Sequence, residues 1–278
     1  MPGSGTHAAS CPLCSSRKIK RVFSQPEWAI NRCKACTNAW TVPSPGQVEY
    51  EAADFHASAT HSHDLASPTT VDDLPEEWKQ CVRDQAKLLV RHLPQRARVL
   101  EIGCGEGILL AELATVGFDV HGIEPSESGS ARARRKGLNV LTGYFPHTKP
   151  DGYFDAVILS HVLEHLSDPM EILGSISKVV PQGYLLLVQT NYKGLVPRWD
   201  KENWYAWAPQ EHFWHFTPRG LGVIAGPLGY YPVACEYSSL VHGARRVAKL
   251  AVRAAAIFPA ALDQCHLLLK LKNDPTIP

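Results

Sequence analysis

The feature that most limits how this chain can fold is a glycine turn, Gly103-Cys-Gly105-Glu-Gly107. It lies between two apolar runs, Arg98-Val-Leu-Glu-Ile102 and Ile108-Leu-Leu-Ala-Glu-Leu-Ala114. The first run has the length and composition of a buried strand, and the second reads as a helix with Gly117 as its stop. Alternate glycines allow φ > 0 and leave no side chain between the backbone and a ligand. A strand, a glycine turn and a helix in that order form the corner at which open α/β sheets meet nucleotide-like cofactors.

The same alternation continues on both sides of the turn. Val82, Ala86, Leu89, Val90 and Leu93 recur at helical spacing, and Pro94 ends that helix. Asp119-Val-His-Gly-Ile123 is a second strand, after which Ser126 caps a helix running to Arg135. Asn139-Val-Leu141 is a weak third strand. Phe154-Asp-Ala-Val-Ile-Leu-Ser160 is a stronger fourth, followed by a helix over Pro169–Val179, and Gly183-Tyr-Leu-Leu-Leu-Val-Gln189 is a fifth. Strands alternating with helices predict an α/β fold, a doubly wound parallel sheet with helices on both faces.

Glu124 closes the second strand, about 20 residues beyond the turn, where an acid accepts hydrogen bonds from ribose hydroxyls. A dinucleotide site shares this much. Two details point elsewhere. The glycines are spaced Gly-x-Gly-x-Gly rather than Gly-x-Gly-x-x-Gly, and Glu101 sits inside the strand just before them. A buried carboxylate repels a diphosphate but attracts an amino-acid ammonium. S-adenosylmethionine carries that ammonium and no phosphate.

Four segments now stand in order: Val99-Leu-Glu-Ile-Gly-Cys-Gly-Glu-Gly107, Gly122-Ile-Glu-Pro-Ser126, Phe154-Asp-Ala-Val-Ile-Leu-Ser-His-Val-Leu-Glu-His-Leu-Ser-Asp-Pro169 and Pro181-Gln-Gly-Tyr-Leu-Leu-Leu-Val188. With them, residues 80–273 resemble the class I S-adenosylmethionine-dependent methyltransferases. The resemblance implies a seven-stranded Rossmann-like sheet whose last two strands are antiparallel, with Tyr231–Tyr237 and His266–Lys272 as the candidates. It also implies that Glu101, Gly103 and Gly105 line the methionine moiety, that Glu124 takes the ribose, and that Tyr144 or Phe145 lies near the adenine. The end of the fourth strand, at Ser160, would border the sulfonium.

The N-terminal region has a different character. Cys11-Pro-Leu-Cys14 and Cys33-Lys-Ala-Cys36 have the spacing of a four-cysteine zinc ribbon. Four thiolates leave zinc no open position, so a structural Zn2+ is expected, and it stabilises a segment with too little apolar surface to fold alone. The expected division is a ribbon at 1–45, a linker or lid at 46–78 and the methyltransferase domain at 79–278. Basic residues crowd the first forty positions and acidic ones the next forty, yet the net charge is only +1. That balance makes no case for nucleic acid or an anionic membrane as partner. No apolar leader and no bilayer-length apolar run is present, so a cytoplasmic chain with reduced thiols is expected, and Cys81, Cys104, Cys235 and Cys265 are read as buried. The basic, apolar stretch Ala244–Leu262 is read as an amphipathic surface helix, with a membrane-facing role as the alternative.

Methyl transfer requires a nucleophile held in line with the sulfonium and, for a hydroxyl, a base. Histidine suits that task because it titrates near neutrality. Candidates are His212, in the aromatic segment Trp204-Tyr-Ala-Trp-Ala-Pro-Gln-Glu-His-Phe-Trp-His-Phe-Thr217, followed by His161 and His165. His212 comes first because Glu-His-x-x-x-Phe-Thr resembles a stretch beside the acceptor in methyltransferases with a leading zinc ribbon. His215 shares the segment. His56, His61 and His63 fall in the linker and are read as solvated, with a lid or a second metal site as alternatives. His161-Val-Leu-Glu-His165 spells the inverted zinc-protease motif, but its first histidine directly follows an apolar strand and not a helix, which rejects that chemistry. The resemblance favours a small-molecule acceptor such as a sugar, nucleotide-sugar or secondary metabolite, with O-methylation ahead of C or N. An rRNA or tRNA methyltransferase and a non-catalytic binding protein are the alternatives.

Overall fold

The computed structural model describes residues 10–44, 68–238 and 262–272. In chain order its strands are β1 (Ile19–Ser24), β2 (Ala29–Cys33), β3 (Ala39–Val42), β4 (Arg98–Ile102), β5 (Asp119–Glu124), β6 (Asn139–Thr142), β7 (Ala156–Ser160), β8 (Tyr184–Thr190), β9 (Trp214–His215), β10 (Tyr230–Ser238) and β11 (Gln264–Leu271). The helices are α1 (Glu76–Val90), α2 (Ile108–Thr115), α3 (Glu127–Arg135), α4 (Pro169–Ile176), α5 (Leu195–Asp200) and α6 (Pro218–Ala225).

Seven strands form one sheet in the order β10-β11-β8-β7-β4-β5-β6. The pairs from β8 through β6 are parallel. β11 pairs antiparallel with both β8 and β10, so β11 alone runs against the other six. This is the Rossmann-like class I methyltransferase sheet. Burial on both faces follows from the period of two. Leu185 and Leu187 join one apolar layer with Leu173 and Ile176 of α4 and Leu221 and Ile224 of α6. Leu186 and Val188 join the other with Leu88 and Leu89 of α1 and Leu109 and Leu113 of α2.

Helix starts are set by local chemistry. The Ser126 side chain accepts from the Gly129 N–H at the head of α3, Asp168 accepts from Met170 and Glu171 ahead of α4, and Thr217 accepts from Gly220 ahead of α6. The helix expected over Pro169–Val179 ends at Ile176, and the carbonyl of Val179 accepts from the Phe154 N–H. Cys81, Cys104 and Cys265 are buried as expected, whereas Cys235 is exposed, because β10 is an edge strand with an outward face. His56, His61 and His63, and the stretch 244–261, lie outside the described residues. Among the described residues, no helix is long and apolar enough to cross a membrane.

The second sheet, β1-β2-β3-β9, takes its fourth strand from beyond residue 200. Ala39 pairs with His215 and Trp40 with Trp214. Asn38 strengthens the junction, donating to the Gly220 carbonyl at 3.1 Å and accepting from the Thr217 N–H. A Cβ on Gly220 would lie 1.7 Å from the Asn38 Oδ1. Gly220→Ala therefore displaces a fully buried amide, and we expect a loss of about 1–3 kcal/mol in urea unfolding. Wild-type stability in that variant would show that the junction tolerates the methyl group.

Candidate active site

The glycine turn is welded to the end of β5. The N–H groups of Gly103 and Cys104 both donate to the Ile123 carbonyl, at 2.8 and 3.2 Å. Gly103 has φ +72°, and a Cβ there would stand 2.5 Å from Val162 Cγ2. Glu124 is buried, and its two oxygens accept from the N–H groups of Gly105 and Ser126, each at 2.8 Å. One carboxylate thus ties the turn to the start of α3. Glu101 is buried beside it, and its Oε2 has no hydrogen-bond partner. Burial, and then the negative charge of Glu124, hold the Glu101 carboxyl well above the usual carboxylate range.

Next to these acids lies a cavity of about 340 Å³. Gly103, Glu124, Tyr144, Phe145, His161, His165 and His212 line it, together with Val162, Leu166, Ile172 and Glu211. Glu101, Gly105 and Ser160 do not reach the lining. The residues present fit S-adenosylmethionine. Two crowded carboxyls, one with an orphaned oxygen, suit an ammonium and a ribose diol, and aromatic Tyr144 and Phe145 suit an adenine.

Three histidines also line the cavity. β7 ends at Ser160, and His161 follows in a left-handed conformation, φ +54°. A single tight turn, Leu163–His165, then brings Glu164 back, with its Oε1 3.4 Å from His161 Nδ1. Burial opposes charge on His161, but the neighbouring Cys81 thiol and Glu164 carboxylate prevail and raise it to about 10. Burial would likewise raise Glu164, yet the bond from His161 and the nearby His165 hold it at about 2. Burial lowers His165 to about 4. Trp78 of α1 packs edge-on against the His161 ring, 5.7 Å between centroids.

The segment carrying His212 is clamped onto this turn by two hydrogen bonds. The Phe213 N–H donates to the Glu164 carbonyl at 2.8 Å, and the Trp214 indole donates to the Leu166 carbonyl at 2.7 Å. The rings of His165 and His212 meet edge-on at 4.6 Å. His212 Nδ1 lies 2.9 Å from the Ala206 carbonyl, an acceptor only, so Nδ1 carries a proton and in the neutral ring the lone pair falls on Nε2. His215 is fully buried against Trp207 and held neutral by burial, so it is a core residue away from the cavity.

Cys11, Cys14, Cys33 and Cys36 come together as the spacing predicts. Cys11 and Cys36 sulfurs are 3.7 Å apart, those of Cys14 and Cys33 are 3.6 Å apart, and all four lie within 4.8 Å of one another. Tetrahedral zinc–thiolate geometry with bonds of about 2.3 Å places sulfurs about 3.8 Å apart, so the donor set fits Zn2+. This cluster touches the active-site wall through β3. The Thr41 hydroxyl donates to the His212 carbonyl at 2.7 Å and lies 3.1 Å from His215 Nε2, and the Thr41 N–H donates to the Phe213 carbonyl.

A seven-stranded sheet with only β11 reversed, and a glycine turn tied to an acid at the end of the next strand, define the class I S-adenosylmethionine-dependent methyltransferases. Residues 73–234 match the family model described as a methyltransferase domain, and the chain belongs to that family. The ubiquinone biosynthesis O-methyltransferase of Caulobacter sp. (strain K31) is 36% identical over 103 residues, 34% of this chain and 40% of that protein. That of Caulobacter vibrioides is 35% identical over 167 residues, 50% of this chain and 66% of that protein. The chain thus spans less than two thirds of either relative. The Burkholderia thailandensis 1,6-didemethyltoxoflavin-N1-methyltransferase shares the fold over 91% of this chain and all of that one, with a TM-score of 0.55 at 16% identity. The magnesium protoporphyrin IX methyltransferase of Synechocystis PCC 6803 aligns over 80% of this chain and 93% of that one, with a TM-score of 0.54 at 16% identity.

Sequence reasoning assigned no role to Glu164, Glu211 or Trp78. The signal for Glu164 was its place three residues after His161, a spacing that a tight turn closes as readily as a helix does. We expect Thr41→Val to lower stability by about 1–3 kcal/mol, since it leaves a buried carbonyl and imidazole without their partner. Thermal melts with and without a zinc chelator provide the comparison. A variant as stable as the parent would show that β3 does not brace the His212 segment.

Proposed function

We propose that this chain transfers the methyl group of S-adenosylmethionine to an oxygen of a small molecule, such as a sugar, a nucleotide-sugar or another secondary metabolite. The observation that carries this reading is that one cavity is lined by Gly103 of the turn, the acid Glu124, the aromatics Tyr144 and Phe145 and the histidines His161, His165 and His212. Glu124 would hold the ribose, with Tyr144 or Phe145 against the adenine, and the buried Glu101 behind the lining would draw the ammonium toward the glycine turn. The bound cofactor supplies an electrophilic methyl on a sulfonium. His212, His161 and His165 line the same cavity, and the acceptor's hydroxyl would be presented to them.

His212 is the residue assigned to activate that hydroxyl. In the simplest form its Nε2 lone pair takes the acceptor's proton, because the Ala206 carbonyl keeps the other ring nitrogen protonated. Leu166, Ile172 and Val162 make much of the remaining wall apolar, which excludes water and strengthens the polar contacts. The curated relatives are O-methyltransferases, which supports oxygen as the acceptor atom. The cysteine cluster would hold a structural Zn2+, the 1–45 segment acting as a ribbon that braces the acceptor wall.

Calorimetric titration should show S-adenosylmethionine binding to the full chain, and His212→Ala should leave that affinity within about twofold. Turnover of a methylated acceptor in the same variant should fall by roughly 10²–10⁴-fold. Unchanged turnover would remove His212 from the chemistry, and no heat with the cofactor would remove the methyltransferase reading itself.

A further inference from the structure

Glu164, His165 and His212 form a second group of potential metal ligands, separate from the four cysteines. One donor atom from each lies within 4.8 Å of the other two. The grouping is built from several directions. The Leu163–His165 turn and the His212 segment are locked together by the Phe213-to-Glu164 and Trp214-to-Leu166 bonds. The Ala206 carbonyl fixes the tautomer of His212 with its Nε2 lone pair available. Glu164 is 2% exposed, and its Oε2 has no hydrogen-bond partner. Its other oxygen faces His161 Nδ1 at 3.4 Å, which orients the carboxylate. His165 and His212 both line the cavity.

We propose that Glu164, His165 and His212 bind one divalent first-row transition-metal ion, and that the acceptor is a small molecule offering two adjacent oxygens to it. Two imidazoles and one carboxylate are the donor set that such ions accept while keeping open positions. A five- or six-coordinate ion has at least two positions left on the cavity side, and a vicinal diol, catechol or hydroxyketone fills two with one molecule. The cation acts as a Lewis acid and lowers the pKa of a coordinated hydroxyl. The proton passes to water, the O–CH3 bond forms as the S–CH3 bond breaks, and the sulfonium leaves as a neutral thioether. No electron transfer is involved. The inference rests on the reading that the acceptor meets His212, and it refines the part His212 plays, from proton acceptor to ligand.

Mn2+ is the probe, because it prefers nitrogen and oxygen donors and leaves a zinc-loaded thiolate cluster alone. The full chain with zinc in its cysteine cluster is titrated with Mn2+, and the free ion is followed by electron paramagnetic resonance. One Mn2+ per chain is expected, with affinity reduced at least tenfold in Glu164→Gln and in His165→Asn. Each variant is first shown to keep the parent's melting profile and S-adenosylmethionine affinity. Should one of them fail to fold, His212→Gln supplies the second ligand change. Bound Mn2+ that is indifferent to these substitutions, or no bound Mn2+ at millimolar concentration, overturns the proposal. If no Mn2+ binds but His212→Ala is inactive, the cation is excluded and the base role stands. If Mn2+ binds as expected and no acceptor is methylated, the cation site is upheld and the functional reading fails instead.

Discussion

Ala39–Val42 and Trp214–His215 exchange backbone hydrogen bonds across most of the length of the chain, and the cavity wall at His212 depends on that exchange. A ribbon of three short strands buries little on its own. By taking β9 as a fourth strand it brings Cys11, Cys33, Cys36 and Trp40 into the same apolar layer as Leu159 and Leu187 of the large sheet and Phe216 just beyond β9. The residues just before β9 then have no freedom to move away. Phe213 is held from one side by Thr41 and from the other by Glu164, and His212 between them faces the cavity.

Most of the large sheet was legible because its strands carry the signal that a doubly covered sheet requires. Leu185 through Val188 are apolar in succession because both faces are buried, and the glycine turn marks the place where a strand gives way to a helix. β9 could not be read. Two residues have no periodicity, and Trp214–His215 becomes a strand only because β3 offers it an edge. The exposure of Cys235 was hidden for a related reason. Its strand reads as apolar, but strand order, which is non-local, places it at the edge of the sheet.

The site was legible by residue type and less so by direction. His161, His165, His212, Gly103, Glu124, Tyr144 and Phe145 meet in one cavity, although they come from five separate stretches of chain. Glu101 and Ser160 stand outside the lining, since a motif locates a backbone corner and not the direction in which each side chain points, and Gly105 has no side chain to reach it. Glu164 was given no role of its own, because its letters count either as a helical protease signature or as one position of the longer segment after the fourth strand. In a tight turn, the same letters bring the carboxylate back onto His161.

The reversed strand β11 has an implication for how such a chain diversifies. Ser238 closes β10 directly opposite Gln264, which opens β11, and Gln264 in turn faces Thr190 at the end of β8. Whatever length of chain joins those two strands therefore leaves and re-enters the sheet at one point, on the rim where β4, β5 and β7 also end. Lengthening such a closed excursion costs only a slowly growing loop entropy and disturbs no strand pairing. Evolution can rewrite that insert while the sheet that carries the glycine turn remains the same.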